Sequence, residues 1–223
     1  MIPVLFGIYY GKQIYNMILY YIILYYIILM GGGILPVALK NGKLYFLFGL
    51  ENELDDTQGW ADFGGGNEHD ESSFDTAARE GCEELNGFLG CENTIKSRMI
   101  KNKIIHISYK SSSYKKPYTS YLFEVDYDEK MPHYYNNNYQ FFIKYLPHIK
   151  KDLHNGLLEK MEIKWFSIDD IKNERNFRPF FQNIINKLLK KENEIMRVLT
   201  KTRTIHPTRK LKHKSINKNT RKN

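Results

Sequence analysis

The sequence predicts an α+β fold, and the order of its elements is the main reason. Strand-like segments come first, a strongly periodic helix follows, and further strands and an amphipathic helix close the pattern. The chain has 223 residues, of which 42% are hydrophobic and 26% charged, as in ordinary globular proteins. We expect one domain over residues 31–191, a hydrophobic segment at 1–30 and a basic, disordered tail at 192–223.

The first strands are expected directly after residue 30. Asn41 and Gly42 separate two apolar runs, which is the strongest short-range signal for a β-hairpin. The stretch WADFGG, which begins at Trp60, indicates a short strand that enters a glycine loop. Further strands are predicted at 103–109, 118–127 and 162–168, and an amphipathic helix within 176–199. The aromatic and polar stretch at 133–145 predicts an insertion with some helix.

The hydrophobic segment allows three interpretations. Residues 14–30 carry no charge, and a membrane-spanning helix needs about 20 apolar residues. The segment is therefore a membrane anchor, a dispensable leader with translation starting at Met17 or Met30, or a buried part of the fold. We expect a cytoplasmic protein, tethered to a membrane if the anchor exists.

The tail and the cysteines restrict the class of protein. The net charge of +8 comes from the tail, because Arg197–Asn223 contains ten Lys or Arg and no Asp or Glu. Such a tail binds RNA, binds anionic lipid, or serves targeting or solubility. The two cysteines, Cys82 and Cys91, give no disulfide framework, and the histidines show no zinc-ligand spacing with them.

The central helix has clear start and stop signals. Ser72 is the predicted N-cap, with Asp75 three residues later, and Asn86-Gly87 tolerates a left-handed C-cap. Apolar and small residues recur at helical spacing and form one face. These are Phe74, Ala77, Ala78, Gly81, Cys82 and Leu85.

Three glutamates crowd one side of this helix. Glu80, Glu83 and Glu84 stand at i, i+3 and i+4, so their carboxylates project together and repel one another. A hard divalent cation such as Mg²⁺ prefers oxygen ligands and takes substrate phosphates as further ligands. A metal–phosphate site explains the cluster, and a solvated acidic face is the alternative.

The spacing around the helix resembles the Nudix box, G-x5-E-x7-R-E-U-x-E-E-x-G-U, where U is a bulky apolar residue. Its charged and glycine positions up to the last glutamate are matched by Gly65, Glu71, Arg79, Glu80, Glu83 and Glu84. Three positions depart from the family pattern: Gly81 replaces an apolar residue, Asn86 replaces the late glycine, and Phe63 replaces a common proline. The resemblance covers about residues 31–190.

The resemblance implies a Nudix-type α/β/α sandwich with a mixed sheet, and a Mg²⁺- or Mn²⁺-dependent hydrolase. The implied metal ligands are Glu80, Glu83, Glu84 and a carbonyl at Gly65. Arg79 would orient a glutamate, and Glu71 would support the site. The general base stays open between Glu80, Glu159 and Glu162. Trp165 and Phe63 are the candidates for substrate binding.

The same resemblance implies the substrate class. The leading hypothesis is hydrolysis of the diphosphate linkage in a nucleoside diphosphate-linked small molecule. One alternative is hydrolysis of an mRNA cap, with RNA recruited by the basic tail. A second alternative is a non-catalytic module that binds nucleotide or RNA.

Overall fold

The protein is described here from a computed structural model. Its described residues are 31–53, 55, 57–68, 70–101, 105–110, 117–146 and 158–205, without the side chains of 202–205. Predictions for residues 1–30 and for the tail beyond 205 fall outside these ranges. Within them, no helix is long and apolar enough to cross a membrane.

A mixed seven-stranded sheet forms the middle layer of the fold. Its strands are β1 (Gly31–Lys40), β2 (Lys43–Glu51), β3 (Trp60–Ala61), β4 (Phe63–Gly66), β5 (Ile105–Lys110), β6 (Pro117–Glu124) and β7 (Lys160–Ser167). The main path runs β3-β2-β1-β6-β5, while β4 pairs with β1 and β7 with β2. Strands β1 and β6 are parallel, and the other pairs are antiparallel. The predicted hairpin is confirmed, since its turn residues Asn41 and Gly42 have φ values of 51° and 74°.

Helices cover both faces of the sheet. They are α1 (Ser73–Glu84), α2 (Glu92–Lys101), α3 (Met131–Tyr145), α4 (Ile168–Asn173), α5 (Gln182–Lys190) and α6 (Glu192–Ile205). Alternate strand residues face opposite sides, so Ile34 packs with α1, α2 and α3, whereas Leu35 packs with α4, α5 and α6. The result is the predicted layering of helices, mixed sheet and helices.

The central helix α1 begins and ends as its sequence predicts. The Ser72 hydroxyl accepts a hydrogen bond from the backbone N–H of Asp75 at 3.2 Å. At the other end, Asn86 and Gly87 are left-handed, with φ of 49° and 73°, and the Gly87 N–H donates to the Cys82 carbonyl. The predicted insertion at 133–145 is helical as α3, whereas α2 was not predicted.

The predicted boundary between the folded domain and the disordered tail, at residue 191, lies too early in the sequence. Residues 192–205 form helix α6, in which Ile195 is 0% and Leu199 5% exposed within the core. The average polarity of the tail hides this apolar face, because most of the remaining residues of α6 are polar or charged. The folded part therefore extends past residue 191.

Candidate metal centre

Three carboxylates meet where helix α1 faces the start of strand β7. Glu80, Glu84 and Glu159 each offer one oxygen, and these three oxygens lie within 4.8 Å of one another. Glu80 and Glu84 belong to consecutive turns of α1, and Glu159 directly precedes β7. Sequence positions that are far apart thus build one compact group of acidic oxygens.

Arg79 holds the acidic residues around this group. Its guanidinium donates to both oxygens of Glu71, at 2.9 and 3.1 Å, in a bidentate contact. The same group contacts Glu83 Oε2 and Glu80 Oε1, both at 3.0 Å, and donates to the Gly66 carbonyl at 3.2 Å. The orienting contact predicted for Arg79 is present, and Glu71 is its main partner.

Two glycines allow the close packing of α1 against the sheet. A Cβ at Gly65 would collide with the Glu80 carboxylate, so glycine lets that carboxylate reach strand β4. A Cβ at Gly81 would collide with the side chain of Ile34 on β1. The departure from the box pattern at Gly81 therefore has a packing reason.

A buried network of charges surrounds Glu84, whose side chain is 3% exposed. Lys160 Nζ lies 3.2 Å from Glu84 Oε1 and also contacts Glu51. Arg178 joins Glu51 to Asp55, with contacts of 2.7 and 3.0 Å. The second oxygen of Glu84, Oε2, is buried and has no hydrogen-bond partner among the residues that the structure describes.

The pKa values of the acidic group are perturbed by burial. The pKa of Glu80 is raised to about 7, mainly by desolvation, with Glu159 and Glu83 adding to the shift and Arg79 opposing it. Desolvation also raises the pKa of Glu84 well above its usual range, against the opposing charge of Lys160. An added cation favours the ionised form of a carboxyl, so these groups are suited to one.

The residues present fit a divalent cation. Carboxylate oxygens are the ligands that Mg²⁺ and Mn²⁺ prefer, and the unpartnered Oε2 of Glu84 is a buried acceptor that lacks a partner of its own. Glu80, Glu84 and Glu159 are the side chains that would hold the ion.

The structure leaves one predicted metal ligand and one predicted base outside this group. Glu83 is 38% exposed, contacts Arg79 and is not among the three residues whose oxygens converge. Glu162 lies on β7 between Lys160 and Ile163, and Ile163 packs into the core cluster beneath α1. Because side chains alternate along a strand, Glu162 points to the opposite face. Glu159, the other candidate for the base in this segment, lies beside Glu80 and Glu84.

The two residues predicted to bind substrate are buried. Phe63 is 0% exposed in the core beneath α1. Trp165 is 8% exposed, donates its indole N–H to the Asp128 carbonyl at 2.8 Å and packs 5.2 Å from the Tyr127 ring. Packing in the core explains both positions, and neither ring is open to a ligand.

Several functional candidates were not visible in the sequence. Lys160 and Glu51 read as ordinary polar residues at strand ends, yet both are buried beside Glu84. A lysine is almost never fully buried unless it is paired with an acidic residue. Burial of Lys160 can therefore be predicted only when its acidic partners on neighbouring elements are known. Strand pairing of Glu51 with Lys160 supplies that information.

Comparisons with known proteins give the following results. No family model matches this chain, and no curated protein matches it. Similar solved structures include a Nudix hydrolase from M. smegmatis, with 13% identity over 74% of this chain and 86% of that one, at a TM-score of 0.45. A C. elegans Ap4A hydrolase is 14% identical over 79% of this chain and 98% of its own, at a TM-score of 0.40. A MutT protein from Methanosarcina mazei is 18% identical over 74% of this chain and 95% of its own, at a TM-score of 0.41. These scores are too low to carry an argument, so function is inferred from the residues of this chain.

Proposed function

We propose that this chain is a Nudix-type pyrophosphohydrolase, which uses a divalent metal ion and water to cleave the diphosphate linkage of a nucleoside diphosphate derivative. The observation that carries the proposal is that Glu159, before β7, meets Glu80 and Glu84 within 4.8 Å, and that these two lie on a helix with the spacing of the Nudix box. The unpartnered Oε2 of Glu84 supports a cation at this point.

Each side chain has a distinct part in the proposed reaction. When bound, the metal ion would polarise the phosphates and lower the pKa of the attacking water. Water attacks one phosphorus atom, the anhydride P–O bond breaks, and a carboxylate takes the proton. Glu80 is the proposed proton acceptor, since its carboxylate lies in the group of oxygens that would face the attacking water. Glu159 is the second candidate, and Arg79 keeps Glu80 in place.

Product analysis with the full chain tests this proposal. The substrates are nucleoside triphosphates, ADP-ribose, dinucleoside polyphosphates and nucleotide sugars, with Mg²⁺ or Mn²⁺. Glu84→Gln and Glu159→Gln are expected to lose at least about 100-fold in turnover, because each removes a charge from the site. Glu162→Gln is the matched control on the same segment and is expected to keep its turnover.

Two results would contradict the proposal. If Glu159→Gln and Glu162→Gln lost turnover equally, the group formed by Glu80, Glu84 and Glu159 would have no particular role in catalysis. A folded protein that binds nucleotide but turns over none of these substrates would be a non-catalytic binding module instead.

Capped RNA is a second candidate substrate, favoured by the outer face of helix α3. Tyr134, Phe141 and Tyr145 are 55%, 52% and 59% exposed, and their spacing places them on one face. Helix α3 contains no acidic residue, and Lys144 lies 5.2 Å from the centre of the Tyr145 ring. Exposed aromatic rings can stack the bases of a single strand.

A triple variant with serine at these three aromatic positions tests the RNA candidate. Because stacking contributes about 1–3 kcal/mol per base, affinity for a single-stranded RNA is expected to fall at least about tenfold. Ile100→Ser on helix α2, where Ile100 is 73% exposed, is the control for loss of exposed apolar surface. Unchanged RNA affinity in the triple variant would exclude this face as the binding surface.

A further inference from the structure

Lys160 is a buried ammonium group between two carboxylates. Its side chain is 1% exposed, and its Nζ contacts Glu51 and lies 3.2 Å from Glu84 Oε1. Lysine is almost never fully buried unless it is paired, and burial of its charge is unfavourable without good partners. The position of Lys160 therefore needs a reason beyond filling space.

Glu51 does not require Lys160 as its sole counter-charge. Arg178 Nη1 lies 2.7 Å from the same oxygen of Glu51 that Lys160 contacts. The second guanidinium nitrogen of Arg178 also contacts Asp55 at 3.0 Å. The charge of Lys160 is thus available to Glu84, the carboxylate at the centre of the acidic group.

The two oxygens of Glu84 have different surroundings because of Lys160. Oε1 faces the ammonium, while Oε2 is buried without a hydrogen-bond partner. A carboxylate with one oxygen at an ammonium group leaves the other oxygen, Oε2, to face a cation. Lys160 also places a fixed positive charge directly behind that ligand.

We propose that Lys160 is a positioning residue that serves as the internal counter-ion of the metal site. It fixes Glu84 so that Oε2 alone is presented, and its charge weakens the hold on the divalent ion, which keeps the ion exchangeable. This proposal rests on the metal site of the proposed function. The proposal predicts an unusual result: removal of Lys160, the buried partner of the metal ligand Glu84, should strengthen metal binding.

Metal titration of the full chain tests the proposal without measuring turnover. Mn²⁺ affinity is measured by calorimetry, and thermal unfolding is followed with and without Mn²⁺. Lys160→Met removes the charge but keeps the length of the side chain. Loss of Lys160 removes the repulsion between a charge of +1 and one of +2 inside the protein, but it also favours protonation of Glu84. Affinity is therefore measured as a function of pH, and at the alkaline end, where proton competition is weakest, we expect Mn²⁺ to bind at least about tenfold more tightly. Without metal, Lys160→Met is expected to unfold at a lower temperature than the unaltered chain.

Three further variants separate positioning from a purely structural role. Lys160→Arg keeps the charge, so its Mn²⁺ affinity is expected to stay within about threefold of the unaltered chain. Arg178 contacts Glu51 rather than Glu84, so Arg178→Met is expected to lower the unfolding temperature without tighter Mn²⁺ binding. If Lys160→Met fails to fold, the pair Glu51→Gln with Lys160→Met removes both buried charges together, and the same gain in affinity is expected.

The outcomes distinguish this proposal from the proposed function. Mn²⁺ binding that Glu84→Gln abolishes establishes the site, and its absence from the unaltered chain would overturn the proposed function itself. With the site established, equal or weaker Mn²⁺ binding by Lys160→Met, or by the pair variant, would overturn the role of Lys160 alone.

Discussion

Replacing Asp62 by asparagine should change how the stability of this protein depends on pH. Asp62 lies between β3 and β4 and is 2% exposed. Its Oδ1 accepts a hydrogen bond from the Tyr118 hydroxyl at 2.8 Å, while Oδ2 has no partner. The pKa of Asp62 is raised from 3.8 to about 6, mainly by desolvation, although the side chains of Ser120 and Tyr118 oppose the shift.

The sign of the effect follows from proton binding. Between pH 3.8 and about 6 the folded chain holds a proton on Asp62 that the unfolded chain has lost, so the free energy of unfolding falls as pH rises. The full loss is about 3 kcal/mol above pH 6, because one pKa unit corresponds to about 1.4 kcal/mol. About half of that, roughly 1.4 kcal/mol, is lost between pH 5 and pH 8.

An asparagine side chain cannot ionise, so Asp62→Asn removes this loss. Urea unfolding in the presence of a chelator, at several pH values from 5 to 8, gives the free energy of unfolding of each protein. The difference between the variant and the unaltered chain is expected to move in favour of the variant by about 1.4 kcal/mol over this range. Any cost of the new amide N–H is independent of pH and does not enter this slope.

A matched control isolates burial as the cause. Asp126 is an exposed carboxylate between β6 and α3, so Asp126→Asn is expected to give a difference that is flat from pH 5 to 8. A flat difference for Asp62→Asn would refute the reasoning, because it would mean that Asp62 is ionised at little cost in the folded protein.

Two further predictions concern packing. Gly81→Ala is expected to destabilise the fold by about 1–3 kcal/mol, although alanine favours a helix, because its Cβ collides with Ile34. Adding Ile34→Val removes Cδ1 and should restore part of the loss in chemical unfolding, whereas an additive double variant would contradict the clash. Ending the chain before α6 removes Ile195 and Leu199 from the core and is expected to lower the unfolding temperature markedly, while ending it after α6 should leave that temperature nearly unchanged. Equal unfolding temperatures for both truncations would show that α6 does not stabilise the domain.

The sequence predicted the elements whose signals are local. The hairpin turn at Asn41-Gly42 and the cap at Ser72 depend on the backbone preferences of a few adjacent residues, which tertiary contacts did not override. The amphipathic helix predicted within 176–199 covers α5 and the first part of α6, but the basic composition of the tail concealed that α6 continues to Ile205 as part of the folded domain. Helix α2 has weak amphipathic character, and burial of Ile95 and Met99 defines it.

The choice among similar acids required the tertiary structure. Helical spacing places Glu80, Glu83 and Glu84 on one side, but it does not decide which of them lie beside Glu159. The structure brings Glu80 and Glu84 there, whereas Glu83 is 38% exposed and contacts Arg79. The register of β7 likewise decides between Glu159 and Glu162, because a shift of one residue moves a side chain to the other face.

By itself, the sequence determined the order of the elements, the limits of helix α1 and the spacing of its acidic residues, since these follow from neighbours along the chain. The tertiary structure decided which residues complete the site. Glu159 joins Glu80 and Glu84, and Lys160 is buried against Glu84, because β2 and β7 pair across more than a hundred positions of sequence. Contacts at such separation depend on strand register and burial, and no local pattern encodes them.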